Sequence, residues 1–212
     1  MNVQNDIIIC TTAVDRPELH KNIFTKYLDF LEGCNFHWMI HLNNVWSNYV
    51  HSIETIKDIL RDKSYEIMFS SSGGKNIDFF NAGKKLIETC TDHESKYGVL
   101  WLEDDWEYIG NDKLIDILGD YDYLQLVERN KEMSFNPGVF SWDVVKNIMQ
   151  PNMKRTGYKK YNDNPERTAL FKDNEDVSFS VDNHVVKPNF RDIGREWMAR
   201  EHNGKRVFNI NV

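Results

Sequence analysis

The chain has 212 residues, of which 41% are hydrophobic and 28% charged, the balance of an ordinary soluble globular protein. This length suffices for one well-filled domain. The net charge of −7, from 26 basic and 33 acidic residues, argues against a nucleic-acid partner, which needs a concentrated basic surface.

The chain shows no targeting or membrane-spanning pattern. Its amino terminus lacks a basic region and has only a very short apolar run, unlike a signal peptide or an anchor. No apolar segment approaches the ~20 residues that span a bilayer. Cys10, Cys34 and Cys90 lack metal-binding spacing and lie among apolar residues, which predicts three buried free thiols. We therefore expect a cytosolic protein.

The first half of the chain alternates between strand and helix patterns. Strands are predicted at residues 6–12, 36–42 and 65–69. Helices are predicted from Pro17 to Gly33 with Asp15 as N-cap, from Ser52 to Asp62, and from Asn76 to Cys90. The alternation and the short connections predict an α/β fold, with a mostly parallel central sheet flanked by helices on both faces.

A fourth strand leads directly into three carboxylates. Residues 99–102, VLWL, form an apolar run typical of a strand buried on both faces, and Glu103, Asp104 and Asp105 follow without a spacer. Ligand crevices of open α/β sheets lie at the carboxyl ends of the strands. A divalent cation there would relieve the repulsion within this acidic triplet. The alternative interpretation is a solvated acidic turn.

The pattern becomes less regular after the acidic triplet. Helices are predicted at 111–118, 142–149 and 174–181, and Pro151 is expected to end the second of them. Strands are predicted at 121–127, 135–141 and 185–190. Residues 152–167 are polar without a clear period and predict a mobile loop, and the tail from 195 is predicted to be partly helical. No repeat or linker divides the chain, so one domain over 1–212 is expected.

Four segments resemble the GT-A class of nucleotide-sugar glycosyltransferases. They are TTAVDR at 11–16, GGKNIDFFNAG at 73–83, the acidic triplet at 103–105 and NEDVSFS at 174–180. The triplet is similar to the Asp-x-Asp motif of that class, with Glu in the first place. The resemblance implies a GT-A fold, with a nucleotide-sugar-binding half over 1–110 and an acceptor-binding half over 111–212.

More narrowly, the chain resembles the amino-terminal glycosyltransferase domain of larger proteins from algal large DNA viruses. That resemblance implies a role in capsid glycan synthesis in the host cytosol, with rhamnose as the transferred sugar. On this resemblance the chain would be one part of a longer multidomain protein.

The resemblance implies a donor site for the nucleotide sugar. Its residues outside the triplet would be Thr11, Thr12, Ala13, Arg16, Gly74, Lys75 and Asp78. The segment after the first strand would hold the nucleobase and ribose. An ordinary turn before a helix explains Gly74 and Lys75 as well, and a carboxylate favoured by the helix dipole explains Asp78.

Within the triplet, the resemblance implies that Asp105 holds Mn²⁺ or Mg²⁺, which would stabilise the departing diphosphate as a Lewis acid. Asp104 would reach the donor sugar, and Glu103 the ribose or the metal. His202 would complete the metal shell, with His184 as the weaker candidate. A lone histidine is, however, more often a surface or core residue than a ligand.

Asp176 is the candidate general base, because the acceptor hydroxyl must lose a proton as it attacks the anomeric carbon. A base opposite the leaving group implies inversion of configuration. The alternative is that Asp176 only favours a helix amino terminus. Trp106 and Trp142 are candidates for stacking on a sugar ring, although most tryptophans simply pack.

These features together predict a metal-dependent, inverting glycosyltransferase that takes a UDP-sugar and an oligosaccharide or glycoprotein acceptor. One alternative is a sugar-phosphate nucleotidyltransferase, but such enzymes commonly carry a longer Gly-rich loop after the first strand than TTAVDRPE. The other alternative is a carbohydrate-binding or assembly module that keeps the fold without turnover.

Overall fold

The computed structural model describes residues 4–14, 16–43, 50–70, 79–128, 136–152 and 181–194. The first half contains β1 (Ile7–Val14), α1 (Pro17–Phe30), β2 (Phe36–Asn43), α2 (Val50–Ile59), β3 (Ser64–Ser70), α3 (Phe79–Cys90) and β4 (Val99–Glu103). The remainder contains β5 (Trp106–Tyr108), α4 (Leu114–Ile117), β6 (Tyr123–Gln125), β7 (Gly138–Phe140), α5 (Trp142–Val144), a π-helical turn (Val145–Met149), α6 (Gln150–Asn152), β8 (His184–Val186) and β9 (Phe190–Asp192).

Among the described residues, seven strands form one sheet in the order β3-β2-β1-β4-β7-β6-β8, and β5 pairs with β9 in a separate small sheet. Strands β3, β2, β1 and β4 are parallel, and β7 runs opposite to both of its neighbours. The predicted α/β class with a mostly parallel sheet is confirmed. The strand order reverses at β1, since β2 and β3 lie on one side of it and β4 on the other.

The sheet is buried on both faces, which explains the unbroken apolar runs in the sequence. Along β1, Ile7 and Ile9 belong to the core cluster that includes the buried face of α1, whereas Ile8 and Cys10 belong to the cluster that includes α3. All four side chains are fully buried. Because successive strand residues point to opposite faces, both faces of β1 must be apolar.

Two predicted elements in the second half are wrong in detail, and one strand was not predicted. The helix predicted to end before Pro151 continues to Asn152, through the π-helical turn in which Gln150 N–H donates to Val145 O. This turn widens the backbone before Pro151, whose ring would clash with the carbonyl four residues earlier in a regular helix. The single strand predicted at 185–190 is two short strands, β8 and β9, and β5 was not predicted.

The cysteine prediction holds for two of the three residues. All three are free thiols, and Cys10 and Cys90 are buried. Cys34 is partly exposed because it lies in the turn between α1 and β2, so the prediction of a buried thiol is wrong there. No helix among the described residues has the length and apolar character that crossing a bilayer requires.

Several predictions fall outside the described residues. They concern the N-caps Asp15 and Asn76, nearly all of the loop at 152–167 and of the helix at 174–181, and the tail from 195.

Candidate active site

The acidic triplet lies at the carboxyl end of β4, beside the carboxyl end of β1. Thr12 of β1 is in register with Glu103 of β4, and Asp104 N–H donates to Thr12 O at 3.3 Å. The sheet order reverses between these two strands, and open α/β sheets bind ligands at such a reversal. The structure therefore puts the triplet at the position where open α/β folds generally bind their ligands.

Asp104 is the most enclosed member of the triplet, at 3% exposure. Its carboxylate accepts from Val14 N–H at 3.0 Å and from Arg16 Nε and Nη2 at 3.2 and 2.5 Å. His20 Nε2 lies 3.1 Å from the same carboxylate. Four groups from the end of β1 and the start of α1 thus hold Asp104 in one orientation.

The electrostatics of Asp104 follow from this enclosure. Burial by itself raises the pKa of the Asp104 carboxyl, but the charge of Arg16 and the contact with His20 outweigh it, so the pKa is lowered. Asp104 is therefore ionised at neutral pH. Its charge is compensated by the buried guanidinium of Arg16, as a buried carboxylate requires.

Asp105 differs from its neighbour in being accessible to water. Its side chain is 32% exposed and lies 3.9 Å from Arg16 Nη1. Its backbone carbonyl accepts from Ile193 N–H at 2.9 Å, which fixes the main chain. A Cβ at Gly194 would lie only 2.5 Å from Asp105 Oδ2, so glycine at 194 leaves room for this carboxylate. Asp105 is thus the member of the triplet that can meet a ligand.

Glu103 is buried and tied to the packing beneath the site. Its Oε2 accepts from the indole N–H of Trp106 at 2.7 Å. The Tyr27 hydroxyl lies 2.5 Å from Glu103 O and 2.6 Å from Trp106 O. Burial raises the pKa of Tyr27 well above its ordinary value, so the hydroxyl keeps its proton as a donor to these carbonyls. Tyr27 and Trp106 therefore brace the main chain on both sides of Asp104 and Asp105.

The tryptophan candidates pack within the protein. Trp106 is 4% exposed and belongs to the core cluster around α1. Trp142 donates its indole N–H to Ser95 O, and Ser95 precedes β4. Trp142 therefore lies at the end of β4 that is opposite to the acidic triplet. Packing, the default interpretation of these residues, describes both of them in this structure.

Of the donor-site residues predicted in β1 and α1, the structure brings Arg16 to the triplet. The Thr11 side chain is fully buried, and its hydroxyl oxygen accepts from the indole N–H of Trp38 at 2.9 Å. Ala13 is part of the core, and Thr12 is 4% exposed beside Glu103. The role of these three residues in nucleotide binding stays a prediction.

The remaining site candidates divide into two groups. Gly74, Lys75, Asp78, Asp176 and His202 lie outside the described residues. His184 lies on β8, three strands from β4, where its ring stacks on Tyr123 and its Nε2 lies 3.2 Å from Gln125 Oε1. His184 therefore belongs to the far edge of the sheet and not to the triplet.

His20 and Tyr27 were missed by the sequence analysis, although both touch the triplet region. Arg16, His20 and Tyr27 are spaced at i, i+4 and i+11, which places them on one side of α1. His20 and Tyr27 both stand at positions that face the core and are fully buried. Polar residues inside an otherwise apolar helix face were the signal that could have found them.

Comparison with known proteins identifies the architecture. No family model matches the sequence, and no curated protein matches it. Among solved structures, the chain is similar to the mannosyltransferase PcManGT from Pyrobaculum calidifontis in complex with GDP-Man and Mn²⁺, with a TM-score of 0.51 and 8% identity. The match covers 69% of this chain and 47% of that one, so the chain spans about half the length of PcManGT.

Two further structures are similar at lower scores. The bifunctional glycosyltransferase WbbM, in its apo form, matches with a TM-score of 0.37 and 11% identity over 73% of this chain and 30% of that one. The mannosyltransferase Ktr4p from S. cerevisiae matches with a TM-score of 0.34 and 11% identity, over 60% and 42% of the two chains. Because the sequence identity to PcManGT is only 8%, this similarity defines the fold alone. The predicted GT-A architecture is confirmed.

Proposed function

We propose that this chain is a metal-dependent glycosyltransferase that moves a sugar from a nucleotide sugar to a glycan or glycoprotein acceptor. The observation that carries this proposal is the acidic triplet at the reversal of strand order, with Asp105 accessible and Asp104 held by Arg16 and His20. The GT-A fold supports it, as does the binding of GDP-Man and Mn²⁺ by PcManGT.

The carboxylates fit a hard divalent cation. Mn²⁺ and Mg²⁺ prefer oxygen ligands, and one or two carboxylates usually suffice because substrate phosphates and waters complete the shell. Asp105 offers an accessible carboxylate. Glu103, the second ligand that the resemblance implies, is only 5% exposed and would have to release the hydrogen bond that its Oε2 accepts from Trp106. When bound, such a cation supplies Lewis-acid stabilisation of the leaving diphosphate. The assignment of His202 as a further metal ligand rests on the resemblance to GT-A enzymes.

Arg16 and Asp104 have a different role in this proposal. The resemblance implies direct contact between Asp104 and the donor sugar, but four groups already contact its carboxylate. We therefore assign Asp104 to positioning: it holds Arg16 so that Nη1 lies 3.9 Å from Asp105. A guanidinium fixed beside the metal ligand would attract the diphosphate and orient it.

The finer parts of the proposal rest on the sequence. Asp176 is assigned as the general base that removes the acceptor proton, which gives inversion of configuration. The donor is assigned as a UDP-sugar and the sugar as rhamnose, bound by the half over 1–110, with the acceptor bound over 111–212. Because PcManGT binds GDP-Man, a GDP-sugar is the alternative donor. A viral origin and capsid glycan synthesis are supported by the resemblance alone.

Calorimetry of nucleotide binding tests the donor site. We expect UDP to bind with Mn²⁺ present and at least about tenfold more weakly without it or in Asp105→Asn. Asp116→Asn is the matched control, because it removes an exposed carboxylate from α4. GDP is titrated in parallel to identify the base. Binding that needs no metal, absence of binding, or unchanged binding in Asp105→Asn would contradict the proposal.

Turnover separates the enzyme from its alternatives. Nucleotide release from a panel of UDP- and GDP-sugars should fall by about 10²-fold or more in Asp176→Asn, while nucleotide binding persists. Metal-dependent nucleotide binding without turnover of any donor would favour the carbohydrate-binding module. Formation of a nucleotide sugar from a nucleoside triphosphate and a sugar phosphate would favour the nucleotidyltransferase.

A further inference from the structure

A second group of side chains of metal-ligand type lies near the amino ends of the parallel strands, whereas the acidic triplet lies at the carboxyl end of β4. His37 is near the amino end of β2, Glu66 is in the first half of β3, and His93 follows α3. One ligand atom from each of the three residues lies within 4.8 Å of those of the other two. His37 Nε2 and His93 Nε2 lie 3.6 and 3.8 Å from the same atom, Glu66 Oε1.

The His37 ring is oriented so that one nitrogen faces this cluster. Its Nδ1 lies 2.7 Å from Ser64 Oγ, which leaves Nε2 directed toward Glu66. His37 is 9% exposed, and its Nε2 is buried without a hydrogen-bond partner in the part of the chain that the structure describes. Buried polar atoms are nearly always satisfied in proteins, so this nitrogen requires an explanation.

The stacking of the two imidazole rings favours their neutral form, which suits a cation. The His37 and His93 rings stack with centroids 4.4 Å apart, an arrangement that two imidazolium ions would oppose. Neutral imidazole is the form that binds metals.

We propose that His37, Glu66 and His93 form a binding site for a divalent cation of the zinc class. Two imidazole nitrogens and one carboxylate oxygen are a common protein set for Zn²⁺, with water in the fourth position. Ligand bonds of about 2.0–2.2 Å place tetrahedral ligand atoms roughly 3.3 Å apart. The two separations from Glu66 Oε1, 3.6 and 3.8 Å, exceed this by at most about 0.5 Å, and all three ligand atoms lie within 4.8 Å of one another, so closing the site needs side-chain movements of up to about 1.5 Å.

The chemistry distinguishes this site from the acidic triplet. Imidazole ligands favour Zn²⁺ and similar transition metals, whereas carboxylates, waters and phosphates favour Mn²⁺ and Mg²⁺. Ser64 Oγ supports the assignment, since a metal-binding histidine usually has a hydrogen-bond partner on its other nitrogen. Glu66 is half-exposed, so water can reach the fourth position.

A cation here would join three separate segments of the fold. It would tie β2 and β3 to the segment between α3 and β4, which carries His93. Both imidazoles and the carboxylate lie near the amino ends of the strands, whereas the donor site lies at their carboxyl ends. The ion would therefore stabilise the sheet without contacting the donor site. The expected role is structural.

Cobalt absorption spectroscopy on the full chain, without an affinity tag, tests the site directly. We expect one equivalent of Co²⁺ to give visible d–d bands that Zn²⁺ abolishes and that excess Mn²⁺ does not. His93→Gln and Glu66→Gln should each weaken binding by about 100-fold, and Ser64→Ala by about tenfold. His51→Gln and Glu94→Gln are matched controls, because both remove exposed residues of the same type.

Thermal unfolding supplies a second measurement. Zn²⁺ at about 100 times its Kd should raise Tm by about 5–10 °C in the wild type and both controls, but not in His93→Gln. The His93 and Glu66 side chains are 26% and 46% exposed, and circular dichroism verifies that their variants fold. No stoichiometric Co²⁺ binding by the folded wild type, or unchanged binding in both ligand variants, overturns the proposal.

The variant Asp105→Asn separates this proposal from the glycosyltransferase assignment. It should lose Mn²⁺-dependent nucleotide binding and keep the Co²⁺ bands unchanged. Loss of the Co²⁺ bands in Asp105→Asn would show that the ion binds at the triplet, and would overturn the site at His37.

Discussion

Replacing Arg16 by methionine tests whether the buried ion pair organises the acidic triplet. The substitution removes both N–H donors of the guanidinium from Asp104, together with the charge that compensates this carboxylate. The side chains of Arg16 and Asp104 are only 13% and 5% exposed, so water cannot readily replace the lost partner. Arg16→Met should therefore destabilise the fold and not only the site.

The magnitude follows from the contacts that remain. Removing one member of a buried ion pair costs about 3–5 kcal/mol, because a buried charge is left without compensation. Val14 N–H and His20 still contact Asp104 in the variant, which favours the lower end. We expect about 3 kcal/mol, or a fall in Tm of roughly 6–12 °C for a chain of this size.

Urea unfolding measures this loss, with Arg191→Met as the matched control. Arg191 also pairs with a carboxylate, that of Glu107 at 2.6 Å, but its side chain is 54% exposed. Exposed pairs contribute about 0–1 kcal/mol. If Arg16→Met cost no more than Arg191→Met, the ion pair would not organise the triplet and the argument for Asp104 as a positioning residue would be wrong.

The ion pair of Arg16 and Asp104 should also make the stability of the fold depend on pH in the acid range. The folded-state pKa of Asp104 is lowered, so its contribution to stability is present above its ordinary value near 4 and is lost as the pH falls through the folded value. The difference in unfolding free energy between wild type and Arg16→Met should therefore shrink below about pH 4. A difference that stays constant from pH 7 to pH 3 would show that Asp104 is not the charged partner.

Two further substitutions probe the surroundings of the triplet, and a third probes the opposite end of β4. Tyr27→Phe should cost about 1–2 kcal/mol in urea unfolding, because two buried carbonyls lose their shared donor; an unchanged midpoint would contradict this. Gly194→Ala should weaken Mn²⁺-dependent UDP binding in calorimetry, because its Cβ would displace the Asp105 carboxylate; equal affinity would remove Asp105 as the ligand. Gly98→Ala should cost more than about 2 kcal/mol, since φ is +97° and the Cβ would lie 2.1 Å from Phe140 O; a smaller loss in thermal unfolding would contradict that geometry.

The sequence predicted the central sheet well because its signals are local. The apolar run at 99–102 and the β-branched residues of β1 indicate strands, and segments with apolar residues at helical spacing lie between the strands. The periods of strands and of helices both follow directly from backbone geometry. The small sheet of β5 and β9 was not predicted for the opposite reason. Each strand has three residues, and Trp106 pairs with Asp192 across most of the second half of the chain. So short a strand carries too few residues to show a period.

The sequence predicts where the candidate site lies in the fold, but not how its side chains are arranged. Glu103, Asp104 and Asp105 mark the carboxyl end of a buried strand, the end at which open α/β sheets bind ligands. Three adjacent carboxylates look equivalent in a sequence. The structure separates them, because the chain turns after β4 and aims Asp104 at α1 while Asp105 faces Gly194. Such directions depend on contacts between residues about 80–90 positions apart, which no local pattern reports.

The pairing of β5 with β9 has a consequence for how the protein is made. Residues 190–194 supply the strand beside Trp106, the N–H bound to Asp105 O and the glycine against its carboxylate. A nascent chain that has emerged only as far as β4 can begin its central sheet, yet it lacks every one of these supports. The geometry of Asp105 should thus be complete only after the ribosome has released the segment that ends at 194.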